Sequence, residues 1–110
     1  VLYEAALAGL DHPDTTGLTA KAKRIVDGVA AHMDEIDDAL AEASHNWALT
    51  RMPPVDRSVL RVAAFELAHT DTPVGVIISE AVALVKRYST ERSAPFVNGV
   101  LAALADAAGR

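Results

Sequence analysis

The chain contains no cysteine, so neither a disulfide framework nor a thiolate metal site is available, and a reducing cytoplasm suits it. Aromatic residues make up only 5% of the sequence, which leaves the core to aliphatic side chains. No apolar run approaches the roughly 20 residues that a membrane-spanning helix needs, and no secretory signal pattern is visible. Alternating β-branched runs, the mark of half-buried strands, are missing as well. No Gly-rich loop is present to cradle a phosphate. His12, His32, His45 and His69 are scattered without the spacing of a zinc-binding helix. Asp37 and Asp38 are adjacent and face different directions on a helix, poor geometry for a shared acid and base. The expectation is therefore a protein without catalysis, resident metal or cofactor.

What is abundant is Ala, Leu and Val, within a hydrophobic share of 51% over 110 residues. A chain of this length buries roughly 65% of its unfolded surface and holds one domain without staples. Residues 1–110 are thus read as a single all-α domain, a compact bundle of five or six helices. The formal net charge of −5 argues against strong nucleic-acid binding by this chain alone, because such binding is driven by Lys and Arg displacing counterions from phosphates. The charge is uneven, however. Asp34, Glu35, Asp37, Asp38 and Glu42 form an acidic run, whereas Arg51, Arg57, Arg61, Lys86, Arg87 and Arg92 slightly outnumber the acids between positions 51 and 92.

In order, Val1 to Ala8 is too short to be a stable helix alone and reads as the tail of a longer one, ended by Gly9 and followed by the loop LDHPDTTG. From Thr19 a helix carries Ala22, Ile25, Val26, Val29, Ala30 and Met33 on one face. Gly28 interrupts it at a cost of roughly 1 kcal/mol relative to Ala, which suggests close packing against another helix. Asp34 offers an N-cap to a helix that buries Ile36, Leu40, Ala43 and Trp47 and closes before Pro53 and Pro54. Val55 to His69 is apolar on nearly all sides and belongs in the middle of the bundle. Glu66 falls on its apolar side, where a carboxylate needs hydrogen bonds from backbone N–H groups or an Arg.

The stretch from Asp71 to Leu104 reads as two amphipathic helices joined by a polar turn. Asp71 and Thr72 are candidate caps for the first, whose apolar side is Val74, Ile77, Ile78, Ala81, Leu84, Val85 and Tyr88. Ser93 is a candidate cap for the second, Pro95 is tolerated in its first turn, and Val97, Val100, Leu101 and Leu104 form its buried stripe. Phe96, Asn98 and Gly99 lie outside that stripe, and Gly99 is read as permitting close helix contact.

Within this stretch SEAVALVKRYSTERSAPFVNGVL resembles the signature of the NusB family of transcription antitermination factors, FVNGVL being its most specific piece. VDRSVLRVAAFEL, from Val55 to Leu67, resembles the helix before that signature, and VLYEAALAG resembles the end of the family's first helix. Three departures accompany the resemblance. Ser79 stands where the family usually has Asn, and Arg92 replaces an acidic residue. The arginine-rich stretch that precedes the family's first helix is also not seen before Val1. A truncated N-terminus is expected on this basis, and because the family carries an additional short helix near positions 9–19, that region is either a real deletion or a break in the chain.

The resemblance implies a factor that binds the boxA element of nascent ribosomal RNA together with the ribosomal protein NusE and joins the RNA polymerase antitermination complex. It works by assembly rather than catalysis. From the residues alone Phe96 either closes the edge of the core or serves a site; by resemblance it stacks on an RNA base, and Tyr3 and Asp56 lie on or near the same RNA- and partner-contacting surface, with Asp56 on the partner side. Lys86, Arg87 and Arg92 supply positive charge beside Phe96, in the aromatic-and-basic pattern with which single-stranded RNA is commonly held. Two alternatives stand beside it: the related RNA-binding domain of ribosomal RNA cytosine methyltransferases, and a homodimeric helical interaction module.

Overall fold

The structure is a computed structural model that describes residues 20–45 and 51–110. Among the described residues there are five helices and no strand: α1 (Ala20–Ala31), α2 (Met33–Ala43), α3 (Pro54–His69), α4 (Val74–Tyr88) and α5 (Ser93–Ala107). The expected elements from Val1 to Thr19 and the side chain of Trp47 lie outside the described residues.

Helix α1 buries Ala22, Ile25, Val26 and Val29, the three-and-four spacing that puts one face into a core. It is separated from α2 by His32 alone, whose backbone leaves helical geometry at φ −115° and ψ 21°. Asp34, expected to cap α2, instead lies inside its first turn with Glu35, where both acids complement the positive helix end. α2 buries Ile36 and Leu40 and stops at Ala43. It ends well before the prolines because His45 adopts a left-handed conformation, φ 56°, one of the few side chains that enter this region with any frequency.

Pro53 and Pro54 instead open α3, where a proline costs no hydrogen bond. α3 packs against all four other described helices, as its nearly uniform apolar surface requires. Its Val59, Leu60, Val62 and Ala63 are fully buried. Gly28 of α1 faces this helix, and a β-carbon there would run into the ring of Phe65. The glycine thus sets how closely α1 approaches α3. Arg61 donates from Nε and Nη2 to the two carboxylate oxygens of Asp37, each at 2.9 Å, a bidentate clasp that fixes α2 on α3. Glu66 is buried, 3% exposed.

Helices α4 and α5 form the hairpin expected from the sequence, with Ile77, Ala81, Leu84 and Val85 meeting Val97, Val100, Leu101 and Leu104 in one core. Several local details differ. No side chain caps α4: Pro73 occupies the cap position, and the Thr72 N–H donates to the Thr70 hydroxyl. Tyr88, the last residue of α4, is 47% exposed because the chain turns away one residue later. Gly99 has nothing within 4 Å of where a β-carbon would sit, so it faces open space and not a neighbouring helix.

The C-terminal end of α5 closes with Gly109 at φ 73°. The Arg110 N–H reaches the Ala105 carbonyl at 2.8 Å and the Gly109 N–H reaches Asp106 at 3.1 Å, a closure that needs a residue comfortable at positive φ. The Arg110 guanidinium then donates to the carbonyls of Leu67 and Thr70 at 3.0 and 3.2 Å. These are among the carbonyls a helix end leaves unpaired.

Candidate nucleic-acid interface

Asp56 sits in the first turn of α3 with 2% of its surface exposed. A buried carboxylate must be hydrogen-bonded to be tolerated, and the turn between α4 and α5 supplies the donors. The Ser89 hydroxyl donates to Asp56 Oδ1 at 2.6 Å, and the Ser93 hydroxyl donates to Oδ2 at 2.8 Å. With its only proton given to Asp56, the Ser93 oxygen accepts from the Thr90 hydroxyl at 2.9 Å and the Thr90 N–H at 3.3 Å. Ser93 therefore does not cap α5. It is the first residue of that helix, and its side chain ties the helix to α3.

This network places Asp56 inside the fold and not on the open surface. Both carboxylate oxygens are engaged inside the fold, and the residue acts by holding the α4–α5 turn against the start of α3. A lysine in its place would put an ammonium group where the two serine hydroxyls converge, so charge reversal there would disturb the fold.

Against this network lies an open cavity of about 290 Å³ lined by Arg51, Met52, Pro53, Asp56, Thr90, Arg92, Ser93 and Phe96. Phe96 is half-buried, packed on the core by one part of its ring and facing the cavity with the rest. Arg51 and Arg92 are exposed at its rim. No acidic side chain lies in the first turn of α5 itself, but the buried Asp56 carboxylate held by Ser93 stands against the positive end of that helix and offsets it, so the positive charge of the cavity rests on the two guanidinium groups. An apolar ring beside two exposed cations, backed by hydroxyls, suits a ligand that carries a flat face and a phosphate.

Of the residues singled out in the sequence, the structure brings Arg92 and Phe96 together in this cavity, with the Asp56 network beneath them. Lys86 and Arg87 are exposed in the last turn of α4 but do not line the cavity. The Arg87 guanidinium lies 5.1 Å from the centre of the Tyr88 ring, a cation–π approach on the neighbouring surface. Tyr3 lies outside the described residues. Arg51 was not among the expected site residues. It lies shortly before Pro53 and Pro54, outside any periodic stretch, and its signal in the sequence is its place at the start of the cation-richer region between positions 51 and 92.

Comparison with known proteins gives the same frame. The family model described as NusB family matches residues 8–106. The transcription antitermination protein NusB of Anaeromyxobacter dehalogenans is 54% identical over 80 residues, covering 73% of this chain and 56% of that protein. The chain thus spans little more than half of that relative's length. The NusB of Acidothermus cellulolyticus is 45% identical over 114 residues, covering 94% of this chain and 79% of that one. Among solved structures, a chain in the crystal structure of the antitermination factors NusB and NusE in complex with double-stranded RNA superposes with a TM-score of 0.81 at 27% identity, covering 96% of this chain and 94% of its own.

Proposed function

From the premise that the chain belongs to the NusB family, we propose that it acts as an antitermination factor, binding boxA of nascent ribosomal RNA together with NusE and contributing to the polymerase complex by assembly rather than by catalysis, in the cytoplasm. The observation that carries this reading is the cavity in which the half-buried Phe96 ring is flanked by Arg51 and Arg92. Phe96 takes a base on its face, the two arginines take adjoining phosphates, and Asp56 keeps the turn that carries Arg92 and Phe96 in register with α3. Lys86, Arg87 and Tyr3 extend the RNA-contacting surface beyond the cavity. The relatives bear the name of antitermination proteins, which favours this reading over the RNA-binding domain of a methyltransferase.

The remaining surface is acidic on balance, so binding by this chain alone is weak and dominated by few phosphate contacts. A titration of labelled boxA RNA, with and without NusE, tests the proposal. Log affinity should fall with log salt by about 0.7 per phosphate contact, giving a shallow slope, and NusE should tighten binding. Equal affinity for boxA and a scrambled RNA of the same length, with no effect of NusE, would refute it.

A further inference from the structure

At the other end of α3, about 20 Å from Asp56 at 1.5 Å per helical residue, three side chains that are scattered in sequence converge. His32 is the joint between α1 and α2, Glu35 lies one turn further on, and His69 is the last residue of α3. One donor atom from each lies within 4.8 Å of the other two. The His32 and His69 rings stack with centroids 4.5 Å apart and planes 28° apart. His69 is backed by the Phe65 ring at 4.9 Å, and His32 Nδ1 lies 3.6 Å from Glu35 Oε2.

We propose that His32, Glu35 and His69 form a surface site for a divalent late transition-metal ion such as zinc. Two imidazoles with one carboxylate are the donor set that such ions prefer, whereas magnesium and calcium favour sites built from oxygen alone. Zinc holds nitrogen and oxygen donors at about 2.0–2.2 Å in a tetrahedron, with water in a fourth position when the protein supplies three. Donors in that shell lie roughly 3.3 Å apart, so the three side chains must close on the ion by rotation. They can do so because Glu35 and His69 are exposed and His32 is partly exposed. The backbone need not move, since the Asp37–Arg61 clasp already fixes α2 on α3. A bound ion would staple the α1–α2 joint to the end of the central helix, and it would place positive charge beside Asp34 and Glu35 without touching the Phe96 cavity. The site is independent of the proposed RNA binding.

The test uses the full chain without a purification tag. Calorimetric titration with zinc chloride should show saturable binding of one ion per chain, and thermal unfolding should shift to higher temperature with zinc but not with an equal concentration of magnesium. His69→Ala and His32→Ala should each weaken zinc binding by about tenfold or more and abolish the thermal shift, while His45→Ala should retain both. Should His32→Ala fail to fold, Glu35→Gln on an exposed carboxylate gives the same test without disturbing packing. Absence of saturable binding, an equal shift with magnesium, or unaltered affinity in the His69 and Glu35 variants would overturn the proposal.

Discussion

Replacing Asp56 with Ala removes the acceptor on which the α4–α5 turn is hung. Two hydrogen bonds end on this carboxylate, at 2.6 and 2.8 Å, and bonds to a charged group contribute about 1.5–3 kcal/mol each. Against their loss stands the relief of no longer burying a charge, which offsets a substantial part of it. Ser89 is only half-buried and regains a water partner, whereas Ser93 is almost fully enclosed and retains Thr90 and the Ser89 hydroxyl, 3.0 Å away. The expected net loss is about 3 kcal/mol. In urea unfolding, with a slope of about 1.3 kcal/mol per molar for a small domain, the midpoint falls by about 2.3 M. Asp56→Asn keeps an acceptor for one serine while the other hydroxyl turns to accept from the amide, so its loss should be smaller, about 1–2 kcal/mol. A change below about 0.5 kcal/mol for Asp56→Ala, the range of ordinary surface substitutions, would show that the carboxylate is not structural and would return it to the partner surface.

Two glycines should respond in opposite directions. Gly28→Ala forces its new methyl group into the Phe65 ring, and the cost of overpacking, about 1–3 kcal/mol, should exceed the gain in helix propensity of about 1 kcal/mol. Chemical denaturation showing a more stable variant would mean that the ring yields freely. Gly99→Ala meets nothing within 4 Å inside α5, and it should stabilise by about 0.5–1 kcal/mol, raising Tm by a few degrees. A lower Tm would show that the surface of α5 is covered.

Much of the architecture was legible because helical periodicity reports burial directly. Ile25, Leu40, Val59, Ile77 and Leu101 sit on the faces their spacing assigned to them, and the FVNGVL segment identified the family whose model spans most of the chain. What escaped notice depends on contacts distant in sequence. Asp56 reads locally as a first-turn acid on a helix surface, and only the arrival of Ser93, 37 positions later, makes it a buried acceptor. Ser93 for the same reason reads as a cap, since its local spacing carries no trace of a tertiary partner. His32 lies at the joint between α1 and α2 and His69 ends α3, and no ligand spacing exists until those elements pack. Tyr88 and Gly99 fail differently. The first lies where an apolar stripe outruns the core that covers it, and the second is a helical glycine whose outward position gives it no packing role.

The claim most open to direct test is that Phe96 and its flanking arginines form an RNA-binding cavity. Phe96→Ala is measured twice, by urea unfolding and by titration with labelled boxA RNA at low salt in the presence of NusE. A ring that stacks on a base contributes about 1–3 kcal/mol, so the dissociation constant should rise by about 5-fold to 150-fold. The loss of stability should stay well below the roughly 3–5 kcal/mol of a fully buried phenylalanine. Unchanged RNA affinity in the folded variant, with a stability loss of that full size, would make Phe96 a core residue and contradict the account.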